Sequence, residues 1–159
     1  MGLLSLLVWA PIFAGLAIVA FSGQKYVPVV RWGALLASIA IFALSLQVYA
    51  GFNNAEAGMQ FVEYAQWIPS INSNYHLGID GISLWLVLLN TFITVLVVIA
   101  CWNIDYRLNQ FMGALLSLAG LVNGTFLVQD ALLFYVFFEA TLVPMYIIIG
   151  IWGGPRKIY

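Results

Sequence analysis

The stretch ALLFYVFFEATLVPMYIIIGI, residues 131–151, decides how the rest of the chain is read. At 1.5 Å per residue it is long enough to cross a hydrocarbon core of ~30 Å. It carries one charge, Glu139, roughly 3 Å from the midplane of the span. Four further apolar stretches precede it, at 3–22, 32–52, 81–104 and 108–129. Composition agrees. Of 159 residues, 64% are hydrophobic and 7% charged, against roughly 25% charged in a soluble domain. Five basic and six acidic residues cannot cover the surface of a soluble fold this size, whereas lipid-facing surface stays apolar. The reading is an all-α, polytopic membrane protein of about five transmembrane helices. Residues 1–159 form a single membrane domain.

The net charge of −1 leaves no basic patch for a phosphate backbone and so excludes nucleic-acid binding. Cys101 is the one cysteine, and it reads as a packed apolar thiol. His76 is the one histidine. Together they do not supply the cluster of ligands that a zinc or haem site on this chain needs. The first apolar stretch lacks a basic residue ahead of it and exceeds the length of a signal-peptide core, so it is kept as a span.

Charges between the spans set the orientation. Lys25 and Arg31 fall between spans one and two, Arg107 between three and four, and Arg156 and Lys157 after five. With five spans, all of these lie on one side, which the positive-inside rule makes cytoplasmic, with the N-terminus outside. An even span count would split them. Residues 53–79 are then an extracytoplasmic loop. Asn53, Asn54, Gly58, Pro69, Asn72, Ser73 and Asn74 read there as turns. Met59 to Ile68, with Tyr64 and Trp67, reads as a short amphipathic element at the interface.

Polar groups inside spans mark protein-facing sides. In span three, Ser83, Asn90 and Thr94 share a helical stripe. In span four, Asn123 lies beside Gly120 and Gly124, small residues at a spacing that allows close approach. Both sets read either as helix-to-helix glue or as a polar lining for water or protons. Glu139 is different. A carboxyl at that depth costs several kcal/mol if unpaired, and such groups are functional by default. It survives by holding a proton or by borrowing a counter-ion. Tyr135 and Tyr146 lie on its helical face. Pro144 leaves the carbonyl of Ala140 without its amide donor. A kink and a polar pocket at the depth of Glu139 are expected. No Lys or Arg lies deep in any span, so a cationic partner to Glu139 must come from outside this sequence.

The run LFYVFFEATLVPMYIIIGIWGGP from Leu133 to Pro155, and within it Phe138 to Met145, resembles the fifth helix of the antiporter-like chain M (mitochondrial chain 4) subunits of respiratory complex I, the NADH–quinone oxidoreductase. Tyr75 to Ser83, YHLGIDGIS, resembles the start of the third helix of that family. The resemblance extends over essentially the whole chain. It implies the N-terminal part of a fourteen-helix fold, the chain stopping at Tyr159 where a sixth helix would begin. It implies a proton-translocating membrane-arm subunit that couples quinone reduction by NADH to proton transport, in the bacterial inner membrane among the other membrane-arm subunits. It implies that Glu139 transfers protons, paired with a lysine on a later helix. It further implies no redox centre on this chain: NADH, flavin, iron–sulfur clusters and quinone would be bound by other subunits. A subunit of a multi-subunit cation/proton antiporter and a purely structural assembly fragment are the competing readings.

Overall fold

The computed structural model describes residues 3–20, 27–52, 60–68, 70, 73–102 and 108–152. Among them are five helices, α1 (Leu3–Val19), α2 (Val27–Gly51), α3 (Gly81–Ala100), α4 (Leu108–Leu127) and α5 (Ala131–Trp152), and two strands, β1 (Gln60–Ile68) and β2 (Ser73–Ile79). Pro28–Gly51, Gly81–Ala100, Leu108–Leu127 and Ala131–Ile151 are long and apolar enough to cross a membrane, and Leu4–Val19 is a shorter apolar helix. The chain is thus a multi-pass membrane protein. Helix α2 begins ahead of Trp32, so Arg31 lies inside it. Pro28 in the first turn explains the early start, because its fixed φ suits a helix and its missing N–H has no partner to lose there.

Helix α4 is the centre of the bundle. It packs on α1, α5, α3 and α2, and it is the most enclosed of the long helices. Lipid is as apolar as leucine, so helix association draws on close packing and hydrogen bonds. Glycine supplies the close packing. A Cβ on Gly15 of α1 would lie 2.5 Å from the carbonyl oxygen of Gly113, and one on Gly120 would lie 2.5 Å from the carbonyl oxygen of Val8. Gly124 serves another neighbour, since a Cβ there would meet the Phe137 ring of α5 at 3.0 Å. The stripe that holds α1 is therefore Gly113 with Gly120, matched by Gly15, and the Gly120/Gly124 pair is split between two partners.

Residues 60–68 and 73–79 form an antiparallel hairpin, with Tyr64 opposite His76. The fold is thus helical with one small sheet added, and Gln60 to Ile68 of the expected amphipathic element form its first strand, Met59 lying outside the described residues. Exposure alternates from Phe61 to Tyr64, the two-residue period of a strand that is half covered. Ser73 and Asn74, read from sequence as turn residues, belong to β2. The remaining expected turn residues lie outside the described set. Register slips between Gln60 and Glu63. There Phe61 adopts φ 55°, and its ring covers Gly51 so closely that a Cβ would meet it at 2.9 Å. A bulge re-aims one side chain in this way.

The hairpin seats on one end of the bundle, where carboxylates meet helix starts. Glu63 accepts from the amides of Leu4 at 2.9 Å and Ser5 at 3.1 Å, and from the Ser5 hydroxyl. Asp80 accepts from the Ser83 amide at 2.8 Å, and Asp130 from the Leu133 amide at 3.0 Å. Helices α1, α3 and α5 thus each begin under an acid, which satisfies orphan amides and complements the helix dipole. The Ser83 amide, with the Ser83 hydroxyl and the amide of Ile82, holds the Asp80 carboxyl below its ordinary range at the head of α3. Tyr75 adds a second tie to α1: its hydroxyl meets the Ser5 hydroxyl at 2.8 Å and accepts from the Trp9 indole N–H at 3.0 Å. The Gln129 amide donates to the His76 carbonyl at 2.7 Å, joining β2 to the α4–α5 turn.

At the opposite end, Asn109 of α4 donates to the carbonyl of Val19 at 2.8 Å. Arg31 sits 5.7 Å from the centroid of a Trp102 ring, within cation–π range. Lys25, Arg107, Arg156 and Lys157 lie outside the described residues.

Candidate functional site

Helix α5 shows two faces. Leu133, Phe137, Thr141 and Pro144 are buried, and Phe137 meets Trp9 of α1 at 6.1 Å between ring centroids. Glu139 lies about 160° around the helix from Phe137, on the opposite side. It is exposed, as are Tyr135 at 59% and Tyr146 at 80%. The structure therefore brings Tyr135, Glu139 and Tyr146 onto one outward face, with Phe138, Leu142 and Val143 around them. Glu139 remains near the middle of the helix. Among the described residues no hydrogen bond or ion pair reaches its carboxylate.

Pro144 does not share that face. It lies about 140° around the helix from Glu139 and lines a groove of about 620 Å³ between α1, α4 and α5. Ala140, whose carbonyl the proline frees, lines it too. The groove is mostly apolar, with Gln110 and Ser117 of α4 as its polar members, and Glu139 is not in its wall. The pocket at this depth thus opens beside the proline and reaches round α5 to Val143, at the edge of the face that carries the acid.

Asn90 and Asn123 are brought together and Ser83 is not. Asn90 Nδ2 donates to Asn123 Oδ1 at 2.8 Å and to the carbonyl of Ala119 at 3.0 Å. Asn123 Nδ2 donates to the carbonyl of Leu7 at 3.0 Å. That acceptor has a cause: Pro11, four residues on in α1, has no N–H to give it. An amide from α4 replaces the missing intrahelical donor, and α1, α3 and α4 are joined through one chain of bonds. Thr94 turns its hydroxyl back onto the Asn90 carbonyl at 2.8 Å. Ser83 stays at the Asp80 cap. Thr91, which the stripe omits, is buried and meets the Ser45 hydroxyl of α2 at 3.0 Å. The signal was present in sequence: a proline inside one span and asparagines inside two others form a supply-and-demand pattern for backbone hydrogen bonds.

Asn123→Leu is expected to destabilise the bundle in micelles by about 1–3 kcal/mol, because it strands the Leu7 carbonyl in an apolar interior. Pro11→Ala in the same chain should recover most of that loss by restoring an amide donor. SDS-titrated unfolding followed by circular dichroism reads both, and equal losses with and without the proline would remove the proposed coupling.

No protein-family model matches the chain. It is 44% identical over 160 residues to the NADH-quinone oxidoreductase subunit M of Rhodobacter capsulatus, covering 99% of this chain and 31% of that protein. It is 38% identical over 157 residues to an NAD(P)H-quinone oxidoreductase chain 4 of Microcystis aeruginosa, covering 98% of this chain and 30% of that protein. It is 35% identical over 156 residues to the F(420)H(2) dehydrogenase subunit M of Methanosarcina mazei, covering 98% of this chain and 31% of that protein. A chain in the structure of respiratory complex I from Thermus thermophilus with bound NADH superposes with a TM-score of 0.81 at 25% identity, covering 98% of this chain and 30% of that one. The chain spans about a third of the length of the relatives it matches. With the described helices and the Glu139 face in place, these likenesses assign the chain to the family of the subunit M and chain 4 proteins of quinone oxidoreductases.

Proposed function

We propose that this chain forms part of the proton-translocating membrane arm of an NADH–quinone oxidoreductase, and that Glu139 exchanges protons there. The observation that carries this is the position of Glu139: mid-depth in α5, opposite the face packed on α4, flanked by Tyr135 and Tyr146. A carboxyl facing lipid at that depth is strongly disfavoured. The outward face is therefore a protein interface, and its partner carries a cation. Glu139 takes up a proton when that cation withdraws and releases it when the cation returns. Electron transfer is the work of other subunits, which hold NADH, flavin, iron–sulfur clusters and quinone. Names of the matched relatives span NADH, NAD(P)H and F(420)H(2) as donors, which fits a membrane subunit with no donor site of its own.

The bonds of Asn90, Thr94 and Asn123 favour helix holding over a proton lining for these groups. The buried side of Pro144 favours a packing role for it. Glu139→Gln in the full-length, assembled enzyme tests the reading through NADH-driven proton pumping in vesicles. Normal pumping by that variant would sink it. A cation/proton antiporter without redox partners is the second reading, and pumping that depends on a sodium or potassium gradient rather than on NADH would favour it.

The orientation follows from the charges: hairpin end outside, Arg31 end in the bacterial cytoplasm, spans near 3–22, 32–52, 81–104, 108–129 and 131–151. Cysteines placed at Lys25, Arg107 or Lys157 should resist a membrane-impermeant maleimide added to whole cells and react in inverted vesicles. Labelling from outside at any of them contradicts the five-span arrangement.

A further inference from the structure

Helices α2 and α3 form a second outward face, opposite in character to that of α5. Among the described residues, three aromatic pairs bridge the helices: Phe42 meets Phe92 mid-way, and two pairs that carry Trp or Tyr stand at the ends. Trp32 meets Trp102 with ring centroids 5.1 Å apart, and Tyr49 meets Trp85 at 5.6 Å. Trp32 to Tyr49 is about 25 Å along α2, and Trp85 to Ala100, where α3 ends two residues before Trp102, is about 22 Å, at 1.5 Å per residue. The two pairs thus form two levels, separated by nearly the ~30 Å of a hydrocarbon core. Tryptophan and tyrosine favour the edges of that core.

Between the levels, polarity is sorted by side. Ser38, Ser45, Thr91 and Thr94 are buried toward the bundle, and each hydroxyl donates to its own helix or a neighbour. The outward residues include Leu36, Ile39, Leu89, Phe92 and Leu96, all apolar. Gln47 is the polar exception, and it sits at the Tyr49 level. No acidic residue lies on this face among those described, and Arg31 stands at the Trp32/Trp102 level against the indole. A positive charge at the rim of an apolar, belted face complements an anionic headgroup.

We propose that the α2–α3 face is the boundary of the assembled complex with lipid, and that Arg31 there holds the headgroup of an anionic phospholipid whose tails lie along Leu36 and Phe92. The α5 face, with Glu139 at its centre, is the protein-facing side. The inference rests on the membrane spans and the belts, not on proton transfer by Glu139.

The test uses the full-length complex in nanodiscs of equal phosphatidylglycerol and phosphatidylcholine. A photoreactive benzoylphenylalanine replaces Phe92, Leu36 or Tyr146 in turn, and adducts are weighed by mass spectrometry. Positions 92 and 36 should yield phospholipid adducts, and position 146 peptide adducts. Phosphatidylglycerol should exceed phosphatidylcholine at position 36 by about fivefold, the equivalent of ~1 kcal/mol for one basic residue at an anionic surface, and Arg31→Gln should level the two. Peptide adducts at position 92, or no lipid adduct there, overturn the boundary assignment. Equal yields at position 36 with Arg31 intact overturn the headgroup assignment. Loss of pumping in Glu139→Gln bears on neither result.

Discussion

Gly113→Leu is expected to prevent α1 from docking on α4, and with it the native bundle. The backbones touch at this crossing. A Cβ on Gly113 would lie 2.7 Å from the carbonyl oxygen of Gly15 and would strike the Val19 side chain. The Val19 methyl can rotate away, but the Gly15 carbonyl cannot. Overpacking a rigid contact costs about 1–3 kcal/mol even for small additions, and a leucine forces the helices apart along their length. Nothing offsets that separation, because lipid fills the gap as well as protein does. Gly120 loses its contact with Val8, and the Asn123 bond to Leu7 opens with it. Reconstitution in micelles, followed by proteolysis and near-ultraviolet circular dichroism, should show a loosened α1 in this variant. Gly33→Leu is the control: a Cβ there meets nothing within 4 Å. If both variants fold alike, close α1–α4 contact is not what holds the bundle.

Glu139→Gln should lower NADH-driven proton pumping by about 10²-fold in the full-length enzyme, the scale of losing one positioned proton-transfer group. The amide keeps the size of the acid but does not titrate. Assembly should persist, since glutamine keeps the size of the acid and, among the described residues, no hydrogen bond or ion pair to α4 or α1 is lost. Glu139→Asp, which keeps the proton but shortens the reach, should retain more activity than Glu139→Gln. Tyr146→Phe should cost less again, because it removes one hydroxyl and no charge. Pumping assayed with a dye in vesicles, alongside blue-native gels for assembly, distinguishes loss of chemistry from loss of the complex. Full pumping in the glutamine variant alongside a defect in the aspartate variant would mean that the size of the side chain matters and its proton does not.

Much of this fold is legible without coordinates, for a simple reason. A spanning segment must satisfy its own backbone and stay apolar for about 20 residues, and both demands are written in local sequence. The five apolar runs and the depth of Glu139 follow from counting. The face shared by Tyr135, Glu139 and Tyr146 follows from helical period alone. The hairpin was harder. Its two-residue alternation is brief, and its bulge at Phe61 breaks the period.

Which helix touches which is a matter of tertiary structure, because an apolar face in lipid fits another helix or an acyl chain equally well. Only the packed bundle separates Gly113 and Gly120, which meet α1, from Gly124, which meets α5. Only the packed bundle joins Pro11 to Asn123, residues far apart in sequence that share one carbonyl. Sequence alone put Glu139 mid-span and put no Lys or Arg deep in any of the five apolar runs. The tertiary structure decided which way Glu139 faces, because α4 packs against Phe137 on the other side of α5 and leaves the acid outward.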